Sequence, residues 1–258
     1  MFTVAQRDAI RDRVLQMAHD DDSVVAAAIV GSLALGGGDR YSDLDLTFGV
    51  ADGVPLNEVL DEWSRTLAGE LEAVHLVDLV DEPTVYRVFL LPGALQLDLS
   101  MTAAALFRPK SPRFRLVFGE TAPGDAGNEA PRRHGLLGIP TPVIAPDIFG
   151  WGVVYAAHGS ACIERGRVWQ AEHYVGAVRD HALALACLRE GVPASEARGY
   201  DALSLDTLAR FDGAHAGGLE RASLRSALSP AVRALLYEGK SAGLVHADAV
   251  ARSLADLT

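Results

Sequence analysis

Two aspartates separated by one leucine, Asp43 and Asp45, sit in the alternating run Ser42-Asp43-Leu44-Asp45-Leu46-Thr47-Phe48. Successive side chains of an extended chain point to opposite faces. This spacing therefore predicts a strand over 42–50 with both carboxylates on one face and Leu44, Leu46 and Phe48 turned into a core. Much later, Leu95-Gln96-Leu97-Asp98-Leu99-Ser100 repeats the pattern, with Gln96, Asp98 and Ser100 sharing a face. If the two strands are neighbours, three carboxylates converge. Three such anions repel one another and raise at least one pKa unless a divalent cation that favours oxygen ligands neutralises them. Magnesium meets that demand, taking a few carboxylates together with substrate phosphate oxygens. Two such ions clamp an in-line phosphoryl or nucleotidyl transfer in this way.

Gly31-Ser32 closes the apolar run Val24 to Val30, which reads as a buried strand, and opens a short helical turn. Backbone N–H groups and the Ser32 hydroxyl at such a turn face outgoing phosphates, and a side chain at position 31 would obstruct the approach. Taken singly, each feature has a plainer account: a strand exit, a flexible loop at Gly36-Gly37-Gly38, a solvated strand face at Asp43 and Asp45. The combination, with Asp98 at a third matching place, is what makes the segment informative.

These residues need elements to position them. Apolar positions among charges from Val4 to His19 predict an amphipathic helix, broken by Asp20-Asp21-Asp22-Ser23. A second helix starts at Pro55 and carries Leu56, Val59, Leu60, Trp63 and Leu67. Strands are expected over 74–80, 85–91 and 95–101, with Pro92-Gly93 as the turn between the last two and a short edge strand over 115–118. From Glu120 to Pro146 the chain is rich in Pro and Gly and has no sustained period, which places a domain boundary there.

Beyond it, Ala171, Tyr174, Val175, Val178, Ala182, Leu185 and Leu188 recur at helical spacing up to Gly191, and Ser229-Pro230 to Gly239 reads as a capped helix with both ends marked. The expected fold class is α/β (α+β): a mixed-sheet domain over 1–120, a connecting loop over 121–146 and a helical-bundle domain over 147–258. On the strong helix Glu172 and Arg179 share one face and His173 and Asp180 the next, so this helix can wall an acceptor cleft with Glu172 as a candidate catalytic residue; a solvated face is the plainer reading of Glu172. Trp63, Trp151 and Trp169 fall at helical spacing and read as core rather than base-stacking platforms. No phosphate-binding Gly-x-x-x-x-Gly-Lys loop or nucleophile elbow occurs.

Gly31-Ser32, the glycine-rich spacer and Ser42-Asp43-Leu44-Asp45 resemble the signature of the DNA polymerase beta-like nucleotidyltransferase superfamily, and Asp98 matches its third carboxylate. Within it, the spacer and the helical second half resemble the antibiotic nucleotidyltransferases that modify aminoglycosides or lincosamides. The resemblance implies that Asp43 and Asp45 bind two magnesium ions, that Asp98 joins the catalytic one and helps orient or deprotonate an acceptor hydroxyl, and that Gly31, Ser32 and Ser42 belong to the nucleotide site. The co-substrate implied is a nucleoside triphosphate, ATP above others, and the acceptor a small molecule. Relatives of this kind often carry arginine where this chain has Leu35; Arg40, Lys110, Arg113 and Arg115 are the available substitutes. Two alternatives stand beside this reading: a protein- or tRNA-adenylylating enzyme of the same fold, and a nucleotide- or partner-binding module without turnover.

Composition narrows the partners. Of 258 residues, 34 are acidic and 23 basic, a formal charge of −11 that repels duplex DNA or long RNA and attracts small cations. Hydrophobic residues make up 49% and charged residues 22%, and no run reaches the roughly 18 apolar residues of a membrane span. The start, with Arg7, Asp8, Arg11 and Asp12, lacks the apolar core of a secretory signal, and Cys162 and Cys187 are too few for a disulfide scaffold. A cytoplasmic protein with reduced thiols is expected.

Overall fold

The computed structural model describes residues 2–81, 83–123, 144–194 and 197–257. The chain divides into two units, Met1–Pro140 and Thr141–Thr258. Most of the connecting segment expected over 121–146 lies outside the described residues.

The first unit opens with helix α1 (Val4–Asp20), started by a capping box in which the Thr3 hydroxyl accepts from the Gln6 N–H and the Gln6 side chain accepts from the Thr3 N–H. Strand β1 (Val24–Val30) follows, then a single 3-10 turn (Gly31–Leu33), β2 (Leu44–Val50), helix α2 (Leu56–Leu71), β3 (Val74–Asp81), β4 (Thr84–Leu91), β5 (Leu95–Ala103) and β6 (Phe114–Phe118). The six strands form one sheet in the order β3-β4-β5-β2-β1-β6. Among the described residues only β2 and β5 pair in parallel; the other pairs are antiparallel. β6 lies at the edge, as its short, half-exposed sequence implies.

One face of this sheet is covered by helices. Leu44, Leu46 and Phe48 of β2 and Leu97 and Leu99 of β5 pack in one core with Val14 and Ala18 of α1 and Leu60, Trp63 and Leu67 of α2. Burial of that face fixes the register, because a one-residue slip would exchange leucines for aspartates. At the edge of the helix-covered face, Arg87 of β4 binds Asp78 of β3 with two hydrogen bonds of 2.7 and 2.8 Å and reaches Asp61 and Ser64 of α2 at 2.9 Å. Burial alone would raise Asp78, but the bonds from Arg87 and His75 outweigh it and hold the carboxyl at about 2.

The second unit is helical: α3 (Ala145–Arg165), α4 (Val168–Glu190), the single-turn α5 (Leu205–Leu208), α6 (Arg221–Ser241) and α7 (Ala247–Ser253). Gly166 and Gly191 end α3 and α4 in the left-handed region, at φ of 70° and 72°.

The expected helix start at Ser229-Pro230 is wrong, since Pro230 lies inside α6. A proline within a helix costs about 3 kcal/mol. Here Leu224, Ala227 and Leu228 before it and Ala231 and Leu235 after it form one buried stripe, and the carbonyl deprived of a donor belongs to exposed Ser226, open to solvent. Gly239 does not stop the helix either. A Cβ there would lie 2.3 Å from a ring carbon of Phe149, so this glycine permits close approach of α3 and α6. Trp63 is core as expected, whereas Trp169, at the start of α4, is 75% exposed. Both cysteines are free and fully buried.

Candidate functional site

The parallel pairing of β2 and β5 aligns Leu44 with Leu97, Asp45 with Asp98 and Leu46 with Leu99. In-register neighbours on a pleated sheet project to the same side, so Asp45 and Asp98 stand together on the face opposite the helices. Asp43 precedes the first residue of β2 instead of lying within the strand, yet its carboxylate reaches the same place. One oxygen from each of Asp43, Asp45 and Asp98 lies within 4.8 Å of the others. That spread approaches the ~4.2 Å between opposite oxygens of an octahedral magnesium with bonds of about 2.1 Å.

The electrostatics follow from this crowding. Burial first, then the charges of Asp43 and Asp98, push the Asp45 carboxyl up to about 8. A group held so far from its ordinary range at neutral pH either keeps a proton or takes a cation.

Gly31 explains how Asp45 fits. Its φ is +67°, in the left-handed region, and a Cβ at this position would lie 2.1 Å from an Asp45 carboxylate oxygen. Both the backbone conformation and the contact therefore exclude a side chain. The next residue, Ser32, has its hydroxyl buried with no hydrogen-bond partner among the described residues. Gln96, two residues before Asp98 on β5, donates from Nε2 to Asp98 at 2.8 Å, while its own Oε1 is also buried and unpartnered. Buried polar atoms are nearly always satisfied, so unpartnered atoms beside a carboxylate cluster mark a place built for a ligand.

The spacer between Gly31 and Asp43 is closed by a reciprocal turn. The Ser42 hydroxyl accepts from the Asp39 N–H at 2.9 Å and donates to the Asp39 carboxylate at 3.1 Å, and that carboxylate also accepts from the Tyr41 N–H. Ser42 is thus occupied within the loop and 2% exposed. The Asp39 carbonyl accepts at 2.6 Å from Arg7 of α1, a guanidinium only 4% exposed.

Of the four candidate phosphate-contacting cations, Arg40 stacks on the Tyr41 ring and Lys110 donates to Thr84 at 2.7 Å; Arg113 and Arg115 are exposed, as is Leu35. Glu172 is exposed on α4 of the second unit.

Sequence reasoning placed Gln96 on the carboxylate face but did not foresee its bond to Asp98, although an i, i+2 spacing along one strand face signals it. Arg7 carried no such signal, since its partner is 32 residues away.

No family model matches this chain, and no curated protein matches its sequence. Among solved structures it is similar to an aminoglycoside 6-adenyltransferase from Bacillus subtilis, with 12% identity and a TM-score of 0.31 over 95% of this chain and 89% of that one. A likeness at that level carries no weight for activity.

Proposed function

We propose that the chain is a magnesium-dependent nucleotidyltransferase. It moves a nucleoside monophosphate, AMP from ATP, onto a hydroxyl of a small molecule such as an aminoglycoside or lincosamide antibiotic, and pyrophosphate is released. The observation behind this reading is the in-register facing of Asp45 and Asp98 with Asp43 beside them. The donor set fits a hard divalent cation: three carboxylate oxygens, one of them on a group that holds its proton to about pH 8 while no cation is bound. Asp43, Asp45 and Asp98 would hold the magnesium ions, which supply positive charge against the triphosphate and the developing negative charge at the reacting phosphorus.

The remaining work falls to the chain. Gly31 keeps the space beside Asp45 clear, and the unpartnered Ser32 hydroxyl is a donor for a phosphate oxygen. Ser42 serves the nucleotide site by closing the turn that delivers Asp43. Asp98, steadied by Gln96, orients the acceptor hydroxyl and takes its proton as that oxygen attacks the α-phosphorus and the bond to the bridging oxygen breaks. Glu172 is assigned to acceptor binding. Catalysis of this kind is mostly positioning and charge stabilisation. The reading includes a cytoplasmic location; among the described residues no helix is long and apolar enough to cross a membrane.

The test is incubation with labelled nucleoside triphosphates and a panel of antibiotics, proteins and RNA, following label by mass. The reading expects a magnesium-dependent gain of one nucleoside monophosphate on a small molecule. Labelling of protein or RNA alone would replace the acceptor class. Tight nucleotide binding with no transfer to any acceptor would leave a binding module.

A further inference from the structure

The second unit holds a cavity of about 1150 Å³ that the carboxylate site does not use. Its described lining comes from that unit alone, between the start of α3, the latter half of α4, Ala194 and residues within 197–215. This is at or above the size of ordinary small-molecule sites. The walls are apolar: Ile148, Leu183, Leu188, Leu208 and Phe211 line it.

The polar groups on the lining are not evenly balanced. Three carboxylates, Asp180, Asp201 and Asp212, face one guanidinium, Arg179. That cation is engaged already. Arg179 donates to Asp180 at 2.9 and 3.0 Å and to the Nδ1 of His215 at 3.1 Å. Asp201 and Asp212 are exposed carboxylates on the same lining.

The two imidazoles are already engaged. His215 accepts from Arg179 and so has a lone pair on Nδ1. His181, packed edge-on against Tyr155, points Nδ1 at the Ala177 carbonyl at 2.8 Å, so the proton sits on Nδ1 and Nε2 is an acceptor. Burial pushes the His181 imidazole below its ordinary range, which keeps it neutral. The Tyr200 hydroxyl is taken up by the Asp180 carbonyl at 3.0 Å.

We infer that this cavity binds an organic ammonium ligand with an apolar body, the body against the leucines and Phe211 and the ammonium toward Asp201 and Asp212. A carboxylate ligand of the same shape meets Asp201 and Asp212 there, two carboxylates with no cationic partner among the described residues. The inference goes beyond nucleotidyl transfer and does not depend on it, since neither magnesium nor nucleotide enters the site.

The experiment is fluorescence titration of the full chain, without metal or nucleotide, using dansylcadaverine and dansyl-6-aminohexanoate. These probes share a ring and chain and differ in the sign of the terminal charge. Saturable blue-shifted binding is expected, with dansylcadaverine about tenfold tighter. Asp201→Asn with Asp212→Asn should weaken dansylcadaverine roughly three- to tenfold and leave the acid probe no weaker. Ala184→Trp fills the cavity and should remove binding of both. Should that variant fail to fold, Leu188→Lys decides, because Leu188 is 45% exposed and tolerates a lysine that repels only the amine. Equal affinity for the two probes would overturn the inference. So would dansylcadaverine binding that Leu188→Lys leaves unchanged, since the attraction would then be diffuse and due to the chain's charge of −11.

Discussion

Filling the carboxylate site should expel a proton, and the number can be worked out in advance. The Asp45 carboxyl is pushed up to about 8 by burial and by Asp43 and Asp98. A group with that pKa is about 0.9 protonated at pH 7 and about 0.1 at pH 9. Metal ligation requires the carboxylate, so magnesium binding at pH 7 should release about 0.9 proton, almost none at pH 9, and tighten about tenfold between the two. The assay is calorimetric titration at fixed pH in buffers of different ionisation enthalpy; the slope of apparent enthalpy against that quantity counts the protons.

The same shift fixes the sign of the metal-free protein's stability. A carboxyl whose folded pKa lies above its unfolded value of 3.8 contributes stability that is complete below that value and lost as pH rises through about 8. Each unit within that window costs up to about 1.4 kcal/mol, so the metal-free melting temperature should fall from mildly acidic to neutral pH and magnesium should restore it at the upper end. A magnesium enthalpy independent of buffer at pH 7, with affinity flat in pH, would refute the reasoning: the three carboxylates would then be ionised together without a cation.

Four substitutions test the remaining assignments. Asp98→Asn should keep magnesium-nucleotide binding, held by Asp43 and Asp45, while transfer falls by at least a hundredfold; turnover within a few-fold of the parent would remove Asp98 from the chemistry. Gly31→Ala, with φ at +67° and its Cβ 2.1 Å from Asp45, should cost about 2–4 kcal/mol of stability and weaken magnesium binding; denaturant melts and metal titration check both. Glu172→Gln should slow turnover of an identified acceptor with nucleotide affinity unchanged, and full turnover would return Glu172 to an ordinary solvated position. Arg7→Met deprives the Asp39 carbonyl of its 2.6 Å donor, so nucleotide affinity should drop several-fold more than the melting temperature alone would suggest.

The strands and helices of the first unit were legible because leucine alternation and helical spacing each have one period, and β1, β2, β5 and α2 fall where those periods place them. Asp45 and Asp98 were legible for the same reason: residues that alternate with buried leucines must share the opposite face. The parallel pairing that aligns them was not written in either strand, because it is decided by the intervening α2, β3 and β4. Asp43 was assigned to the strand by a period that does not mark where hydrogen bonding begins, and β2 starts one residue later. Ser229-Pro230 misled because the same dipeptide starts a helix or is carried within one, and buried neighbours on both sides decide which. Gly239 misled because glycine serves both as a stop and as a point of close approach, and only the position of Phe149 tells them apart.

The parallel pairing of β2 and β5 also divides the first unit into parts with different tolerance to redesign. Seven consecutive rungs, Leu44 with Leu97 through Val50 with Ala103, hold the two strands in register. A single residue inserted within either strand would turn one aspartate into the leucine layer. Residues added in the excursion between them, at the exposed turn Asp52-Gly53 or at Pro92, leave that register untouched. The exposed turns of that excursion are therefore the natural places for a graft, a reporter tag or a new chain break, because α2, β3 and β4 themselves are held by the core and the sheet.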